Sequence, residues 1–338
     1  MTEDRGMNVL VTGGGGFLGG AIARRLLELG HRVSVLGRRR YPDLPDEITS
    51  IQADLRDSQA VSEACRGMDS VFHAGALAGI WGKKSDFFQI NVEGTRHVID
   101  GCLASGARKL VFTSSPSVIF NQSDMENVDE TVPYPSQYLS DYPRTKALAE
   151  QAVLAANGRQ GLLTVSLRPH LIWGPGDPHL VPRIIQRARE FKLVRVGEGT
   201  NRVDIIYIDN AVEGHIRAWQ ALEPGSPVAG HCYFLSDGEP VVLWDWINRL
   251  LVSLKIDPVT KSISYSAARK LGWIVEGIYR VFSLPGEPRM TRFLAAQLAA
   301  SHFFNTSRAR RDFNYQAVVS PEEGMKRLLY SLLARPEG

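Results

Sequence analysis

The sequence has few cysteines, no large excess of one charge and no long uninterrupted apolar run, and each of these absences excludes a class of protein. Its three cysteines, Cys65, Cys102 and Cys232, are widely spaced and odd in number. This argues against a disulfide-stabilised secreted scaffold and favours a reducing compartment. The 39 basic and 36 acidic residues leave a net charge of +3, which is too balanced to indicate nucleic acid as a partner.

No segment has the layout of a signal peptide or the length of a membrane span. The first residues, MTEDRG, are polar, and a strand is predicted directly after them. The most apolar late stretch, LGWIVEGIYRVFSL at 271–284, contains Glu276 and Arg280, and about 14 residues are too few to cross a bilayer. We therefore predict a cytoplasmic protein without a transmembrane segment. We expect 271–284 to form a core or lid helix, with contact to a membrane surface or a lipid substrate as the alternative.

The first strong pattern is a strand, a glycine cluster and a helix near the N-terminus. Residues 8–12 predict a strand, and apolar residues recur at helical spacing over 17–29. Between them Gly13, Gly16 and Gly19 stand at the spacing of a dinucleotide fingerprint. Glycine permits a tight turn and close approach of a pyrophosphate, which the N-terminal end of the helix attracts. A flexible surface loop is the alternative, but the flanking strand and helix favour nucleotide binding.

Strands and helices alternate after this unit. Predicted strands at 32–36, 48–52, 70–73, 109–114 and 163–168 are separated by predicted helices at 59–66, 87–105 and 143–157. Such alternation is typical of parallel strands joined by crossovers. We predict an α/β fold, a Rossmann-type doubly wound parallel sheet with a smaller, mostly C-terminal α/β lobe that binds the substrate.

The regular alternation ends at WGPGDPH, residues 173–179, because glycine and proline break helices and strands. A helix is predicted beyond it at 180–191. We therefore assign 1–173 to the dinucleotide-binding domain, to which 203–236 returns. The substrate lobe comprises 174–202 and 237–338.

The end of the second predicted strand bears on which dinucleotide binds. NAD-specific sites usually place an Asp or Glu about 20 residues after the glycines, whereas this strand ends in Gly37 followed by arginines from Arg38 to Arg40. Guanidinium groups match the 2′-phosphate of NADP. We predict NADP(H) as the preferred cofactor and NAD(H) as the alternative, and a solvated basic turn is the other interpretation. Asp54 and Leu55 follow the third strand, where a side chain could meet the adenine, although Asp54 could instead cap the next helix.

A tyrosine and a lysine four residues apart suggest acid–base catalysis. Pro143 is tolerated only in the first turn of a helix, so the helix begins here, and Tyr142 and Lys146 share one face. An adjacent ammonium lowers the pKa of a tyrosine toward the working range. The pair is common by chance in exposed helices. The hydroxyl cluster TSSPS at 113–117, at the carboxyl end of a predicted strand, favours catalysis because ligands bind at that edge.

These motifs together resemble the extended short-chain dehydrogenase/reductases. In that family's order they are TGGGGFLG at 12–19, the Asp54 region, HAGA at 73–76, NVEGT at 91–95, TSSPSV at 113–118, YPRTK at 142–146 and RPHLIWGPGD at 168–177. The resemblance implies that the catalytic residues are Ser115, Tyr142 and Lys146, that Asn91 supports the active-site helix, and that the protein is a homodimer through the long helices after strands four and five.

The same resemblance implies a nicotinamide cofactor and no metal site. The residues predicted to contact the cofactor are Gly13, Gly16, Phe17, Leu18, Gly19, Arg38, Asp54, Leu55, Ala74, Ala76, Asn91, Lys146, Pro169 and Leu171. A non-catalytic NADP-binding regulator is disfavoured, because such a protein would usually have lost the tyrosine or the lysine.

The C-terminal half resembles the 3-beta-hydroxysteroid dehydrogenase branch, which includes sterol-4-carboxylate 3-dehydrogenases and the 2-alkyl-3-oxoalkanoate reductases of bacterial olefin synthesis. The similar segments are NRVDIIYIDNAVEGH at 201–215, GEPRMTRFLAAQL at 286–298 and SRARRDFNY at 307–315. The loop AGALAGIWG at 74–82 most resembles the olefin-pathway members. The resemblance implies NAD(P)-dependent interconversion of a 3-oxo and a 3-hydroxy group on a bulky lipophilic substrate.

Two other functions stay open, an NAD-dependent sterol 3-beta-dehydrogenase and a nucleotide-sugar epimerase or dehydratase. The sugar-nucleotide function would need basic groups in the lobe, and we expect no basic cluster there. The lobe instead has aromatic and aliphatic residues, most of which we expect in the core: Trp244, Trp246, Trp273, Ile274, Ile278, Tyr279, Phe282 and Phe293.

Overall fold

The computed structural model describes residues 6–334, in which strands and helices alternate through most of the chain. The strands are β1 (Asn8–Thr12), β2 (Arg32–Gly37), β3 (Thr49–Gln52), β4 (Ser70–His73), β5 (Lys109–Thr113), β6 (Met125–Val128), β7 (Leu163–Pro169), β8 (Ile172–Trp173), β9 (Arg195–Val196), β10 (Arg202–Val203), β11 (Ile206–Tyr207), β12 (His231–Leu235), β13 (Val241–Val242), β14 (Ser262–Ile263) and β15 (His302–Phe304).

The helices between these strands cover both faces of the main sheet and build most of the second lobe. They are α1 (Phe17–Glu28), α2 (Ser58–Cys65), α3 (Lys84–Phe87), α4 (Gly94–Ser105), α5 (Asp141–Ala155), α6 (Leu180–Arg189), α7 (Ile208–Ala221), α8 (Leu243–Ser253), α9 (Tyr265–Val281), α10 (Arg292–Ala299), α11 (Ser307–Phe313) and α12 (Pro321–Leu333).

The main sheet has seven parallel strands in the order β12-β7-β5-β4-β1-β2-β3. Its central strands are apolar on both faces, as parallel strands covered by helices must be; Val9, Leu10 and Val11, for example, are fully buried. The strand order reverses beside β1, which opens a crevice at the carboxyl ends of β1 and β4. The predicted doubly wound sheet is confirmed.

A second sheet of four strands has the order β13-β10-β15-β6. Its strand β6 comes from the segment predicted for the first domain, and it pairs with β15 near the C-terminus. Strand β12, from the segment 203–236, pairs with β7 in the main sheet. The division of the chain into two domains stays a prediction.

The helix predicted over 87–105 is interrupted. Helix α3 ends at Phe87, a π-helical turn covers Phe88–Glu93, and α4 begins at Gly94. A π-turn accommodates one extra residue, and such turns are frequent at functional sites. Because apolar periodicity changes little over a single turn, the sequence could not show this irregularity.

Helix α9 corrects the expectation for residues 271–284. The core helix is wrong, because Trp273 is 65%, Phe282 70% and Val281 77% exposed, whereas the lid helix stays a prediction. The helix packs by its small residues instead: a Cβ atom on Gly272 would lie 2.7 Å from the backbone nitrogen of Arg292, at the start of α10. Hydropathy counts apolar residues but does not show which face a neighbouring helix covers.

The other aromatic and aliphatic residues of the lobe are partly as expected. Trp244, Trp246 and Phe293 are buried, whereas Ile274 and Ile278 are exposed on α9. No helix in the described part of the chain has the length and apolar character needed to cross a membrane.

A buried ion pair joins α5 to β7. The Arg168 guanidinium donates to the Glu150 carboxylate at 2.5–3.2 Å, and both side chains are almost fully buried. Tyr134 and Ser166 also donate to Glu150, each at 2.7 Å. Burial would raise the pKa of Glu150, but the Arg168 charge and the hydrogen bonds from Arg168 and Tyr134 hold it below its usual value. The four side chains therefore form a fixed connection behind the helix that carries Tyr142.

Glu150→Gln should lower the free energy of unfolding by about 3–5 kcal/mol, because Arg168 would be left buried without a counter-charge. The matched control is Glu63→Gln, which breaks an exposed pair with Arg66 and should cost less than about 0.5 kcal/mol. Urea unfolding of both variants measures the difference. Equal effects of the two substitutions would contradict the importance of the buried pair.

Candidate active site

The glycine loop between β1 and α1 is shaped for close backbone approach. Gly13 has φ +70°, and a Cβ atom there would lie 2.7 Å from the Cα atom of Gly75. A Cβ atom on Gly19 would lie 2.3 Å from the carbonyl oxygen of Gly13. The first helical residues are Phe17 and Leu18, and no side chain caps the N-terminus of α1. Its first N–H groups are therefore suited to a pyrophosphate, and the predicted contact residues of this loop fit a dinucleotide.

Tyr41 lies against this loop, and the sequence analysis did not identify it. A Cβ atom on Gly15 would lie 1.8 Å from its ring, and one on Gly37 would lie 2.0 Å from its hydroxyl oxygen. A larger residue at position 37 would collide with Tyr41. The contact with Tyr41 therefore requires glycine here, in addition to any preference for the 2′-phosphate of NADP. Arg38 follows it with an exposed side chain, and its backbone carbonyl accepts a hydrogen bond from Gln52.

Asp54 and Leu55 follow β3, as predicted. The Asp54 carboxylate accepts hydrogen bonds from the Arg56 side chain at 2.7 and 3.0 Å, and these bonds lower its pKa. The suggestion that Asp54 caps the next helix is wrong, because Asp57 caps α2 by accepting from the backbone nitrogen of Ala60 at 3.0 Å. Leu55 is buried and would contact a Cβ atom on Gly75 at 3.1 Å.

Asn91 connects the loop after β4 to α5. Its side-chain oxygen accepts from the backbone nitrogen of Leu77 at 2.7 Å, and its nitrogen donates to the hydroxyl of Thr145 at 3.1 Å. This loop contains Ala74 and Ala76, two of the residues predicted to contact the cofactor. The π-turn places the Asn91 side chain between the loop and α5, so Asn91 can fix the position of one relative to the other.

The end of β7 carries the last predicted cofactor residues. Pro169 is the final residue of the strand, and Leu171 has φ +45°, which is unusual for a branched side chain. Backbone strain of this kind is found at functional sites more often than elsewhere.

Ser115 lies near enough to Tyr142 to influence the pKa of the phenol. The Ser115 oxygen accepts from the backbone nitrogen of Ser117 at 3.2 Å and from its hydroxyl at 2.9 Å. Both acceptor positions of Ser115 are therefore used, so its own proton is left to be donated. Burial of that phenol raises the pKa of Tyr142, and the hydrogen bond from Ser115 offsets part of the increase.

Lys146 lies one turn after Tyr142, as predicted, but its ammonium is turned to other partners. It donates to the carbonyl oxygen of Thr113 at 2.6 Å and lies 4.0 Å from the ring centre of Phe112. Burial lowers the pKa of Lys146 to about 7, against the attraction of Glu150. The expected lowering of the tyrosine pKa by this lysine is not found, because burial of the phenol outweighs the effects of neighbouring groups.

Two buried histidines next to this site were not predicted. His302 donates from Nε2 to the backbone oxygen of Gln297 at 2.9 Å, which leaves its Nδ1 to accept from His170 at 2.7 Å. Burial lowers the pKa of both imidazoles, so the pair is neutral. The two histidines and Ser117 line the same small cavity. His170 and His302 are 132 residues apart in the chain, so no local sequence pattern could have predicted their contact.

The substrate lobe does contain a basic cluster, contrary to expectation. Arg183 and Arg187 project from α6 and lie near Arg289, and burial together with these two cations lowers the pKa of Arg187. Arg183 is paired with Glu287. The three arginines come from segments about 100 residues apart, so the cluster exists only in the folded protein. In residues 6–334 no group of three or more His, Cys, Asp or Glu side chains could hold a metal ion.

Comparison with known proteins identifies the family. The family model for the 3-beta hydroxysteroid dehydrogenase/isomerase family matches residues 10–264. The chain belongs to this family. A 2-alkyl-3-oxoalkanoate reductase of Stenotrophomonas maltophilia is 48% identical over 97% of this chain and 100% of its own length. The sterol-4-alpha-carboxylate 3-dehydrogenase (decarboxylating) of Mus musculus is 33% identical over 95% of this chain and 90% of its own length.

Solved structures show the same fold. The crystal structure of gox2253 has a TM-score of 0.78 and 26% sequence identity, covering 97% of this chain and 99% of its own. As a member of the 3-beta hydroxysteroid dehydrogenase family, the protein is an NAD(P)-dependent oxidoreductase that interconverts CH–OH and C=O groups. The resemblance noted in the sequence is confirmed.

Ser117→Ala should lower kcat by about threefold to tenfold, because a net hydrogen bond of about 1 kcal/mol to Ser115 is lost. KM for the cofactor should not change, and Ser117→Thr, which keeps a hydroxyl, should restore most of the rate. Ser123→Ala, at an exposed serine, is the control. A rate for Ser117→Ala equal to that of the control would show that Ser117 does not position Ser115.

Proposed function

We propose that this family member reduces the 3-oxo group of a 2-alkyl-3-oxo acid, with NADPH as the hydride donor. The observation that carries the proposal is the placement of Ser115, which accepts two hydrogen bonds from Ser117, near Tyr142 at the carboxyl edge of the sheet. The full-length similarity to a protein named 2-alkyl-3-oxoalkanoate reductase supports the substrate class.

In this proposal Ser115 and Tyr142 bind the carbonyl oxygen of the substrate. When bound, the nicotinamide supplies the hydride to C3, and Tyr142 gives its proton to the oxygen, so the product is a 3-hydroxy acid. The raised pKa of Tyr142 suits this role, because the phenol stays protonated at neutral pH until charge develops on the carbonyl oxygen. Lys146 can donate to a ribose of the cofactor, and the residues around the glycine loop hold the cofactor.

The preference for NADPH rests on two features at the end of β2. No carboxylate is present at Gly37 to bond a ribose 2′-hydroxyl, and the exposed Arg38 side chain can meet a 2′-phosphate. The resemblance to the family further supports a homodimer in which α4 and α5 form the interface, and the three free cysteines support a cytoplasmic location.

An NAD-dependent sterol 3-beta-dehydrogenase is the second candidate. The similarity to the sterol-4-alpha-carboxylate 3-dehydrogenase of Mus musculus over nearly the whole chain favours it. Purified protein assayed with 2-alkyl-3-oxo acids plus NADPH, and with 4-carboxysterols plus NAD⁺, separates the two. Turnover only in the second assay would overturn the proposed reductase.

Tyr142→Phe should reduce turnover of a 2-alkyl-3-oxo acid by about 10²-fold or more, because general acid catalysis of this kind contributes about 10²–10⁴-fold. Binding of NADPH should be unaffected. The control is Tyr330→Phe, since Tyr330 is 78% exposed on α12. Turnover is followed by the absorbance of the reduced cofactor, and an unchanged rate in Tyr142→Phe would exclude this tyrosine as the proton donor.

Arg38→Ala should raise the Kd of NADPH by about tenfold or more, through loss of charge-assisted hydrogen bonds worth about 1.5–3 kcal/mol. The Kd of NADH should stay within about twofold. Arg32→Ala is a suitable control, because Arg32 is exposed at the opposite end of the same strand. Fluorescence titration of both cofactors measures the constants. Equal loss of affinity for NADPH and NADH would contradict a phosphate contact.

A further inference from the structure

The outer face of α9 and the turn after it form an exposed apolar surface. Thirteen large apolar residues are exposed in the described part of the chain, and seven of them lie within 271–284. We call these seven the α9 face: Leu271, Trp273, Ile274, Ile278, Val281, Phe282 and Leu284. A soluble monomer rarely keeps so many large apolar residues together in water, so this surface calls for a partner.

The α9 face has a positively charged border. Segment 265–292 contains five basic and two acidic residues, and its two acidic side chains are already paired, Glu276 with Arg292 and Glu287 with Arg183. Exposed basic residues at the border are Arg269, Lys270, Arg280 and Arg289. Among residues 6–334, no carboxylate lies within ion-pair distance of Arg269, Lys270 or Arg289.

This surface is connected to the candidate active site. The ring of Tyr279 on α9 meets Trp81 edge-to-face with centroids 6.1 Å apart, and Arg280 lies 5.4 Å from the centre of the same ring. The preceding residue, Ile80, accepts a hydrogen bond from Ser140, which is the N-cap of the helix carrying Tyr142. The loop around Trp81 therefore contacts α9 on one side and the start of α5 on the other.

Apolar side chains fill the space between α9 and the candidate active site. Tyr265 at the start of α9 belongs to the same buried cluster as Ile80 and Phe120, and that cluster also includes Val118, three residues after Ser115. A lipophilic molecule that enters beside α9 would thus meet apolar side chains on its way toward Ser115 and Tyr142.

We propose that the α9 face docks on an anionic membrane surface, from which the lipophilic substrate is taken. Trp273 and Phe282 would lie at the level of the lipid head groups, and the basic border would meet the anionic head groups. The combination of an apolar centre and a basic border matches this chemistry. The proposal rests on the proposed function for the nature of the substrate, but not for the docking itself.

A second copy of the chain fits this surface less well. In a symmetric dimer the same patch meets itself, so the basic borders of the two copies would face each other. Like charges repel across such an interface, and neither copy offers a free carboxylate at the border to offset them. A membrane with anionic lipids supplies the missing negative charge.

The test is binding to phosphatidylcholine vesicles with and without phosphatidylglycerol, measured by co-sedimentation. The wild-type protein should bind the anionic vesicles at least tenfold more tightly, and salt should weaken the binding. Trp273→Ser/Val281→Ser should lose at least fivefold in affinity, and Arg269→Gln/Lys270→Gln should lose affinity only for the anionic vesicles. The matched control is Val318→Ser/Leu333→Ser, at residues that are 57% and 70% exposed on other elements.

Fluorescence gives an independent reading of the same contact. Trp173, Trp219, Trp244 and Trp246 are buried and Trp81 is half-buried, whereas Trp273 is 65% exposed. Anionic vesicles should therefore shift the tryptophan emission to shorter wavelength in the wild type. Trp273→Phe should remove most of the shift while the protein still binds.

Three results would overturn the proposal: equal binding to neutral and anionic vesicles, unchanged binding of Trp273→Ser/Val281→Ser, and no vesicle binding by the wild type. A dimer that this double variant dissociates, without vesicle binding, would show a subunit interface instead. Turnover of a short, water-soluble 3-oxo acid without vesicles is measured in parallel. Vesicle binding without such turnover would refute the proposed function and leave the docking intact.

Discussion

The candidate active site depends on the buried ion pair between Glu150 and Arg168. Glu150 lies one turn after Lys146 on α5, and Arg168 directly precedes Pro169 at the end of β7. The pair therefore fixes the distance between the helix that carries Tyr142 and Lys146 and the strand end beside which the cofactor is expected. Two buried charges are costly to desolvate, and the hydrogen bonds from Tyr134 and Ser166 offset part of that cost. The same carboxylate opposes the loss of the proton from Lys146.

The polar groups of the candidate active site differ in whether they can donate or accept a further hydrogen bond. Ser115 has both acceptor positions filled by Ser117, so it can only donate, and it lies near Tyr142. A carbonyl oxygen placed beside both residues would receive one hydrogen bond from each hydroxyl. The neutral pair of His170 and His302 closes the other side of this region without adding a charge that would compete.

Much of the fold could be predicted because its signals are local. The glycine spacing after β1, the alternation of strands and helices, and the proline in the first turn of α5 each act within a few residues. The pairing of Tyr142 with Lys146 follows from helical spacing for the same reason. Their positions relative to Ser115 followed from the rule that parallel strands present their carboxyl ends at one edge of the sheet.

The rest depends on contacts between distant segments. Glu150 and Arg168, His170 and His302, and the contact of Tyr41 with Gly15 and Gly37 have no signature in any one stretch. The pKa of Tyr142 was wrongly expected to be lowered, since spacing places Lys146 nearby but does not show that Thr113 and Phe112 hold its ammonium. For α9, composition showed the apolar residues, but only the packing against α10 shows that they face outward.

The most direct test of the central claim is transfer of deuterium from the cofactor to the product. NADPH deuterated at C4 on either face is incubated with the wild-type protein and a 2-alkyl-3-oxo acid, and the product is examined by mass spectrometry. The account predicts one deuterium at C3 of a 3-hydroxy acid from one of the two labelled cofactors, with equal loss of NADPH. A product without deuterium at C3, or no net oxidation of the cofactor, would contradict it.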